Sequence, residues 1–235
     1  MKQNYQFPRI TTRGYYNQNT AEETDSRRES RYNTYPKAKV AKIFEGKEVV
    51  IFVHGMRNSR WGAIHGARLL RNRLRKVGYK YPVVAFTYDA EIRGAHIANN
   101  EPETIRKAEK IAKANGLHNL SSLIGDIHQN NPNIKIRLVG HSLGCDVINN
   151  VYVPVASIHL LGSPVSAEDV LKLPSHKIVN FYNPKDEVIT EGANSHIIFN
   201  PSCLTRITGK YVQSKNCFAN DHRAKSYFKK LRSFP

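Results

Sequence analysis

The sequence lacks a long apolar segment. No run approaches the roughly 20 residues that a membrane-spanning helix needs. The opening residues, Met1-Lys2-Gln3-Asn4-Tyr5, have no apolar core of a secretory signal peptide behind them. We therefore expect a soluble globular protein of the cytoplasm. The 235 residues are enough for one domain with a sizeable hydrophobic core.

Cysteine is also scarce, with three residues in the chain. Cys203 and Cys217 lie in one polar region and could close a short disulfide ring, whereas Cys145 falls in an apolar segment. The spacing of the three matches no zinc-binding pattern, and a single pair is weak evidence for an oxidising compartment. We expect no metal and no organic cofactor.

Acidic residues are few: 19 Asp and Glu stand against 36 Lys and Arg, a formal charge of +17. The segment from Arg57 to Lys80 contains no acid, and the tail after Cys203 contains Asp221 alone. Such a charge attracts polyanions, so nucleic acid, an anionic membrane surface and acidic substrates are candidate partners. A solvated basic surface that only keeps the protein in solution explains the charge equally well.

The first 45 residues differ from the rest of the chain. They are polar and without apolar periodicity, so residues 1–45 are predicted to be an irregular or disordered basic arm, with a short helix near residues 20–31. Residues 46–235 are predicted to form a single domain. Its apolar runs predict strands at 49–53, 83–88, 134–139, 155–161 and 177–182, and an edge strand at 196–199.

Helical spacing occurs between these strands. It predicts a helix from Trp61 to Leu74, a helical stretch from Glu101 to Ile127 that breaks at Asn115-Gly116, a helix after residue 142, and a terminal helix over 222–231. Strands that alternate with helices favour a mostly parallel sheet with helices on both faces. Functional residues of such sheets lie beyond the carboxyl ends of the strands.

The segment Ile134–Asn150 carries the most specific motif. A strand pattern leads into Gly140-His141-Ser142-Leu143-Gly144, which fits G-x-S-x-G, and helical spacing follows. This strand–turn–helix context is that of a nucleophile elbow, in which the serine adopts strained backbone geometry and its hydroxyl is exposed. We therefore predict Ser142 as a nucleophile.

A serine hydroxyl needs a histidine base, and the base needs an acid that orients it. Asp186 follows an apolar strand and the turn Asn183-Pro184, so it is the preferred acid; Glu187 and Asp169 are its rivals. The base is His222 or His196, and we prefer His222, which precedes the terminal helix. In enzymes with this elbow the acid and then the histidine follow the serine along the chain.

An oxyanion hole needs two converging backbone donors. Leu143, directly after the serine, supplies one N–H group, and Met56, directly after His54-Gly55, is the predicted second. His54 and Gly55 shape this loop. Candidate substrate-binding residues are His54 and Gly55 in this loop and, after the first two buried strands, Asn58, Ser59, Trp61 and Asp89.

Four segments of the chain together resemble a known family: Phe52-Val53-His54-Gly55, Val139 to Gly144, Asn180 to Asp186, and Asp221-His222 with Tyr227 downstream. They are similar to α/β-hydrolases of the small serine esterase or lipase type, over residues 48 to 232. The resemblance implies a single-domain α/β-hydrolase fold.

Two departures from the family's pattern are evident. No strand pair precedes Val49, so we expect a sheet reduced at its N-terminal edge. Little sequence lies between Leu161 and Lys177 for a lid, so we expect an open or shallow site.

Two hypotheses of function follow. The first is a serine hydrolase that acts on an ester or lipid through an acyl-enzyme on Ser142, with His222 as base and Asp186 as the orienting acid. The second is a basic protein on a hydrolase scaffold that binds nucleic acid or an anionic membrane with little or no catalysis.

Overall fold

The computed structural model describes residues 6–25, 30–91, 102–195, 198–218 and 221–234. Eight strands of these residues form one sheet in the order β2-β1-β4-β3-β5-β6-β7-β8. β2 pairs antiparallel with β1, and every other neighbouring pair is parallel. The strands are β1 (Arg9–Thr11), β2 (Asn33–Tyr35), β3 (Glu48–Val53), β4 (Val83–Thr87), β5 (Lys135–His141), β6 (Ser157–Leu161), β7 (Ile178–Tyr182) and β8 (Val212–Asn216).

Helices alternate with the parallel strands, as the sequence predicts. They are α1 (Lys37–Phe44), α2 (Arg60–Lys76), α3 (Pro102–Ala114), α4 (Ser121–Asn130), α5 (Leu143–Asn149), α6 (Ala167–Val170), α7 (Glu187–Asn194) and α8 (Ala224–Phe228). At the predicted break, Asn115-Gly116, the backbone stays helical: a π-helical turn over Asn115–Leu120 joins α3 to α4. Gly116 permits the close approach of α5, because a Cβ atom there would lie 2.1 Å from the carbonyl oxygen of Val147.

Alternate residues of the central strands pack into two separate clusters. Val49, Ile51 and Val53 of β3 belong to a cluster that includes buried residues of α3, α4 and α5. Val50 and Phe52 belong to the other cluster, with buried residues of α2 and α8. Because side chains alternate across a strand, the two clusters lie on opposite faces of the sheet. The predicted architecture, a mostly parallel sheet with helices on both faces, is confirmed.

The side of the sheet that is formed by the N-terminal strands differs from the expectation. The sequence predicts no strand pair before Val49, but β1 and β2 occur there, and β1 pairs with β4. Ile10 is fully buried, so this part of the arm over residues 1–45 is ordered against the sheet. The edge is reduced in the length of its strands, three residues each, and not in their number. The boundary between residues 45 and 46 stays a prediction.

The predicted edge strand is wrong, and the possible disulfide does not form. The last strand is β8, whereas Ile198 and Phe199 of the predicted edge strand are not in a strand, and residues 196–197 lie outside the described residues. Cys203 and Cys217 form no disulfide, and all three cysteines are buried free thiols.

In the described ranges no helix combines the length and the apolar character that crossing a membrane would require.

Candidate active site at the carboxyl ends of the strands

The turn after β5 has the strained geometry of a nucleophile elbow. Ser142 has φ 54° and ψ −130°, a backbone conformation that non-glycine residues rarely adopt. Its N–H donates to the carbonyl oxygen of Leu161 at 2.9 Å, and its own carbonyl accepts from Cys145 at 2.8 Å. These bonds connect the serine to the end of β6 and to the first turn of α5.

Two glycines allow the chain to pack tightly around the serine. A Cβ atom on Gly144 would lie 2.3 Å from the carbonyl oxygen of Val53, so α5 begins against the end of β3. A Cβ atom on Gly55 would lie 2.7 Å from the Cβ atom of Ser142. The loop after β3 therefore lies directly beside the elbow, and only glycine fits at these two positions.

The structure brings Ser142, His222 and Asp186 together from three separate segments. His222 Nε2 lies 2.8 Å from Ser142 Oγ, and His222 Nδ1 lies 2.8 and 2.9 Å from the two carboxylate oxygens of Asp186. The tautomer with its proton on Nδ1 satisfies both contacts, since Nδ1–H donates to Asp186 and Nε2 accepts from the Ser142 hydroxyl.

Asp186 is fully buried and receives several hydrogen bonds. It caps α7, because Oδ1 accepts from the Ile189 N–H at 3.1 Å, and Oδ2 accepts from the hydroxyl of Tyr227. The thiol of Cys203 lies 3.8 Å from Oδ2 and 3.2 Å from the Tyr227 hydroxyl. Burial acts to raise the pKa of this carboxyl, but the His222 ring and these donors outweigh burial and lower it. Asp186 therefore stays ionised.

His141, inside the elbow, holds the segment that carries His222. Its Nε2 lies 2.7 Å from the carbonyl oxygen of His222, and the two rings are 5.1 Å apart. Burial, and then the neighbouring His222, lower the pKa of His141 to about 3. The neutral ring donates Nε2–H to the carbonyl. The elbow thus positions the backbone of His222 as well as the nucleophile.

The two predicted oxyanion donors come from adjacent segments. Leu143 is the first residue of α5, where N–H groups have no partner within the helix. Met56 follows Gly55, which contacts the elbow. Within the part of the chain that the structure describes, neither N–H group donates to an acceptor. Both remain available to an anion at this edge of the sheet.

His54 and Asn58 shape the loop that carries Met56. His54 is buried; its Nδ1 lies 2.8 Å from the Gly55 carbonyl oxygen, and its Nε2 accepts from the Tyr88 N–H at 3.3 Å. Burial, and then the charge of Arg13, lower the pKa of His54 to about 3, so the ring is neutral. Asn58 Nδ2 donates to the carbonyl oxygens of Gly55 and Met56 at 3.1 and 3.2 Å. These side chains brace the loop from within.

The other predicted pocket residues face different surroundings. Trp61, near the start of α2, is 38% exposed, and Ser59 caps that helix through the Gly62 N–H. Asp89 is buried and accepts from the backbone N–H groups of Gly14 and Tyr16 at 2.8 and 3.4 Å. Burial raises the pKa of Asp89. Its carboxylate is thus engaged by the N-terminal arm.

The rival acids and base lie elsewhere. Glu187 is the exposed first residue of α7, and Asp169 contacts Ser166 and Lys172. His196 lies outside the described residues. Two contacts of the site are missing from the sequence-based prediction, those of Cys203 and Tyr227 with Asp186. Tyr227 is among the residues that resemble the hydrolase family, but nothing in its local sequence indicates that it contacts Asp186.

Among the described residues, no group of three or more His, Cys, Asp or Glu side chains is arranged to hold a metal ion.

The predicted basic segments meet on one face of the sheet, where α2 packs against α8. Arg73 Nε donates to the carbonyl oxygen of Leu231 at 2.8 Å, and the guanidinium groups of Arg68 and Arg71 lie 5.6 and 5.2 Å from the ring centre of Phe7. Several cations of this face therefore stabilise the protein's own packing.

Comparison with known protein families agrees with this architecture. A family model described as alpha/beta hydrolase of unknown function (DUF900) matches residues 34–156, just over half of the chain. No curated protein matches. Among solved structures, an acetyl xylan esterase is similar at 14% identity, over 63% of this chain and 91% of that one, with a TM-score of 0.34. A Trichoderma reesei cutinase with a phosphonate inhibitor is similar at 16% identity, over 83% of this chain and 80% of that one, with a TM-score of 0.34.

Proposed function

The chain belongs to this family of α/β hydrolases of unknown function, and from that premise we propose that it is a serine hydrolase of carboxylic esters. The single observation that carries the proposal is the position of the His222 ring. Its two nitrogens lie 2.8 Å from Ser142 Oγ and 2.8 Å from Asp186 Oδ2. This is the arrangement that turns a serine hydroxyl into a nucleophile.

In the proposed first step, Ser142 Oγ attacks the ester carbonyl carbon while His222 Nε2 takes the hydroxyl proton. The carbonyl electron pair moves onto oxygen, and the N–H groups of Met56 and Leu143 stabilise that oxyanion. The imidazolium that forms is paired with the ionised Asp186. Its Nε2–H then protonates the leaving alkoxide, the carbon–oxygen bond breaks, and an acyl-serine remains.

In the second step, water replaces the alcohol. His222 removes a proton from the water, whose oxygen attacks the acyl carbon. The tetrahedral intermediate expels Ser142 Oγ, which recovers its proton from His222. The products are the acid and the free enzyme, so no external electron or co-reactant is required.

The electrostatic setting of the site suits this cycle. Asp186 is ionised and buried, and the neighbouring His141 and His54 are neutral, so the His222 imidazolium would face one negative charge and no second cation from those rings. Low solvent exposure strengthens the interaction between Asp186 and the transient imidazolium.

The alternative of a non-catalytic basic binding protein is less favoured. Arg68, Arg71 and Arg73 of the basic face contact the chain itself. A scaffold retained only for binding would also have no need of the strained Ser142 or of its alignment with His222 and Asp186.

Fluorophosphonate labelling tests the proposal, because this probe reacts with an activated serine. We expect the wild type to be labelled and Ser142→Ala to be unlabelled while keeping its thermal unfolding transition. Ser166→Ala is the matched control and should be labelled like the wild type, because Ser166 caps α6 and is not expected to react with the probe. A folded wild type that resists labelling, or a Ser142→Ala variant that is still labelled, would refute the assignment. Hydrolysis of a series of p-nitrophenyl esters would then define the acyl chain.

A further inference from the structure

The direction of the Met56 N–H group depends on the carbonyl group of Gly55. Both groups belong to one planar trans peptide, so they point in opposite directions. The Gly55 carbonyl oxygen accepts from Asn58 Nδ2 at 3.1 Å and lies 2.8 Å from His54 Nδ1. His54 Nδ1 carries the ring proton, because Nε2 accepts from the Tyr88 N–H group. Whatever holds Asn58 in place therefore also orients the proposed oxyanion donor.

The backbone of Asn58 is held by a side chain of the N-terminal arm. Arg13, in the turn after β1, donates from Nη2 to the Asn58 carbonyl oxygen at 2.6 Å and from Nη1 to Glu91 Oε2 at 3.1 Å. Its side chain is only 8% exposed. A charged donor makes a stronger hydrogen bond than a neutral one, so this contact restrains the loop that follows β3.

The turn that carries Arg13 is anchored beside the site. The Thr12 N–H group donates to the carbonyl oxygen of Thr87, the last residue of β4, at 3.0 Å. The Gly14 N–H group donates to Asp89 Oδ2 at 2.8 Å. Both acceptors lie at the carboxyl end of β4, so Arg13 approaches the loop after β3 from a well-defined position.

An ordinary ion pair with Glu91 explains the placement of Arg13 less well. The Glu91 side chain is 45% exposed, and ion pairs open to solvent contribute little to stability. Such a pair does not require a buried guanidinium group or a contact with the Asn58 carbonyl. The charge of Arg13 also suits the loop: after burial, which has the larger effect, it lowers the pKa of His54 to about 3, and the neutral ring donates to Gly55.

We propose that Arg13 is a positioning residue for oxyanion stabilisation, which acts by holding Asn58 so that the Met56 N–H group stays directed at the oxyanion. This inference rests on the proposed hydrolase function. The oxyanion forms as the reaction proceeds and is absent from the bound ester. Loss of Arg13 therefore lowers kcat and leaves KM unchanged. The arm contributes to catalysis without touching the substrate.

Steady-state hydrolysis of a p-nitrophenyl ester tests this role. Arg13→Met keeps the aliphatic stem and removes both N–H contacts. We expect kcat to fall about tenfold with KM unchanged, less than the 10²- to 10³-fold typical of losing an oxyanion donor outright. Glu91→Gln is the matched control, because it removes the ion pair and leaves the contact with Asn58; its kcat should equal that of the wild type.

Two further variants show whether Arg13 acts through Asn58. In an Asn58→Ala background, Arg13→Met should cause no additional loss of kcat, and losses that multiply would refute the proposed route. Arg13→Lys keeps the charge without the planar fork, so its kcat should lie between those of wild type and Arg13→Met. If Arg13→Met does not fold, a wild-type kcat in Arg13→Lys refutes the proposal.

Hydrogen exchange provides a readout that needs no turnover. We expect Arg13→Met to exchange faster in peptides that cover residues 54–60, and at the wild-type rate in peptides from β6 and α5. Faster exchange throughout the sheet, or an equal effect of Glu91→Gln, would show a general loss of stability and overturn the proposal. A wild type that resists fluorophosphonate labelling refutes the hydrolase and with it the catalytic role of Arg13, whereas the exchange result still decides whether Arg13 holds the loop.

Discussion

Two buried polar clusters lie at opposite ends of the same sheet. At the amino end, Arg137 of β5 donates to both carboxylate oxygens of Glu48 at 2.5 and 3.2 Å and to Ser157 Oγ at 3.2 Å. At the carboxyl end, His222 joins Asp186 to Ser142 at distances of 2.8 Å. Each cluster contains a carboxylate, a basic side chain (arginine or histidine) and a serine.

The base makes the difference between them. Arginine stays protonated at any accessible pH, so the amino-end cluster is a permanent ion pair. Its planar guanidinium group donates two N–H bonds that match the geometry of the carboxylate. Histidine can gain and lose a proton near neutrality. The carboxyl-end cluster also has a strained serine and nearby backbone N–H groups that donate to no acceptor among the residues described. The proposed reactivity thus depends on an incomplete polar network, whereas a complete network serves stability.

Replacing Asp186 by Asn should have the largest effect and act on catalysis. Asn can still cap α7, but its amide would donate to Nδ1 and force the proton of His222 onto Nε2, which then cannot accept from Ser142. We expect kcat to fall on the order of 10⁴-fold with little change in the unfolding temperature. Steady-state hydrolysis of a p-nitrophenyl ester measures it. Activity within tenfold of wild type would remove Asp186 from the proposed triad.

Breaking the amino-end cluster should change stability instead. In Arg137→Met, Glu48 is left buried without its partner, and the free energy of unfolding should fall by about 3–5 kcal/mol. kcat of the folded protein should not change. Urea unfolding and ester hydrolysis separate the two effects. The double variant Glu48→Leu with Arg137→Met is the control and should recover most of the loss; a lower kcat in the single variant would contradict the division of roles.

Removing the hydroxyl of Tyr227 should have an intermediate effect on catalysis. Tyr227→Phe deletes a donor to Asp186 Oδ2, so the carboxylate is less firmly oriented toward His222. We expect kcat to fall about tenfold with KM unchanged, as for the loss of one charged hydrogen bond. In the control Tyr16→Phe, a buried tyrosine loses the hydroxyl that accepts from Asn119 at 3.0 Å, and kcat should stay at the wild-type value. Equal losses in both variants would indicate a general packing effect.

The smallest expected effect concerns pH and lies outside both clusters. Burial, and then Lys215 and Arg137, lower the pKa of His159 to about 3, below its ordinary value of 6.5. The unfolded chain therefore binds the proton more tightly, so stability is lost as pH falls from 6.5 towards 3. Each such histidine contributes up to about 1.4 kcal/mol per pH unit.

His159→Leu should flatten that loss by one proton. Thermal unfolding of wild type and variant at several pH values between 7.5 and 4.5 measures the difference in slope. His118 is an exposed histidine, and His118→Leu is the control that should leave the slope unchanged. A wild-type slope in His159→Leu would show that this ring does not carry the acid sensitivity.

Much of the fold could be predicted from local patterns. The apolar runs of β3 and β4 are fully buried, as their composition indicates, and the predicted break at Asn115-Gly116 coincides with a change from α-helix to a π-helical turn. The short or polar strands could not be predicted. β1 has three residues, and β8 reads Val-Gln-Ser-Lys-Asn, so neither carries a periodic signal; each is a strand because its neighbour supplies the hydrogen bonds.

The sequence by itself determined the elbow, because a strand followed by Gly140-His141-Ser142-Leu143-Gly144 satisfies a local steric requirement. It also determined the parallel sheet, and therefore that a functional site would lie at the carboxyl ends of the strands. Only the tertiary structure decided that His222 lies beside Ser142, that Tyr227 and Cys203 lie beside Asp186, and that His141 holds the His222 carbonyl. These contacts join residues far apart in the chain, and their distances depend on packing across the whole sheet, which no local pattern encodes.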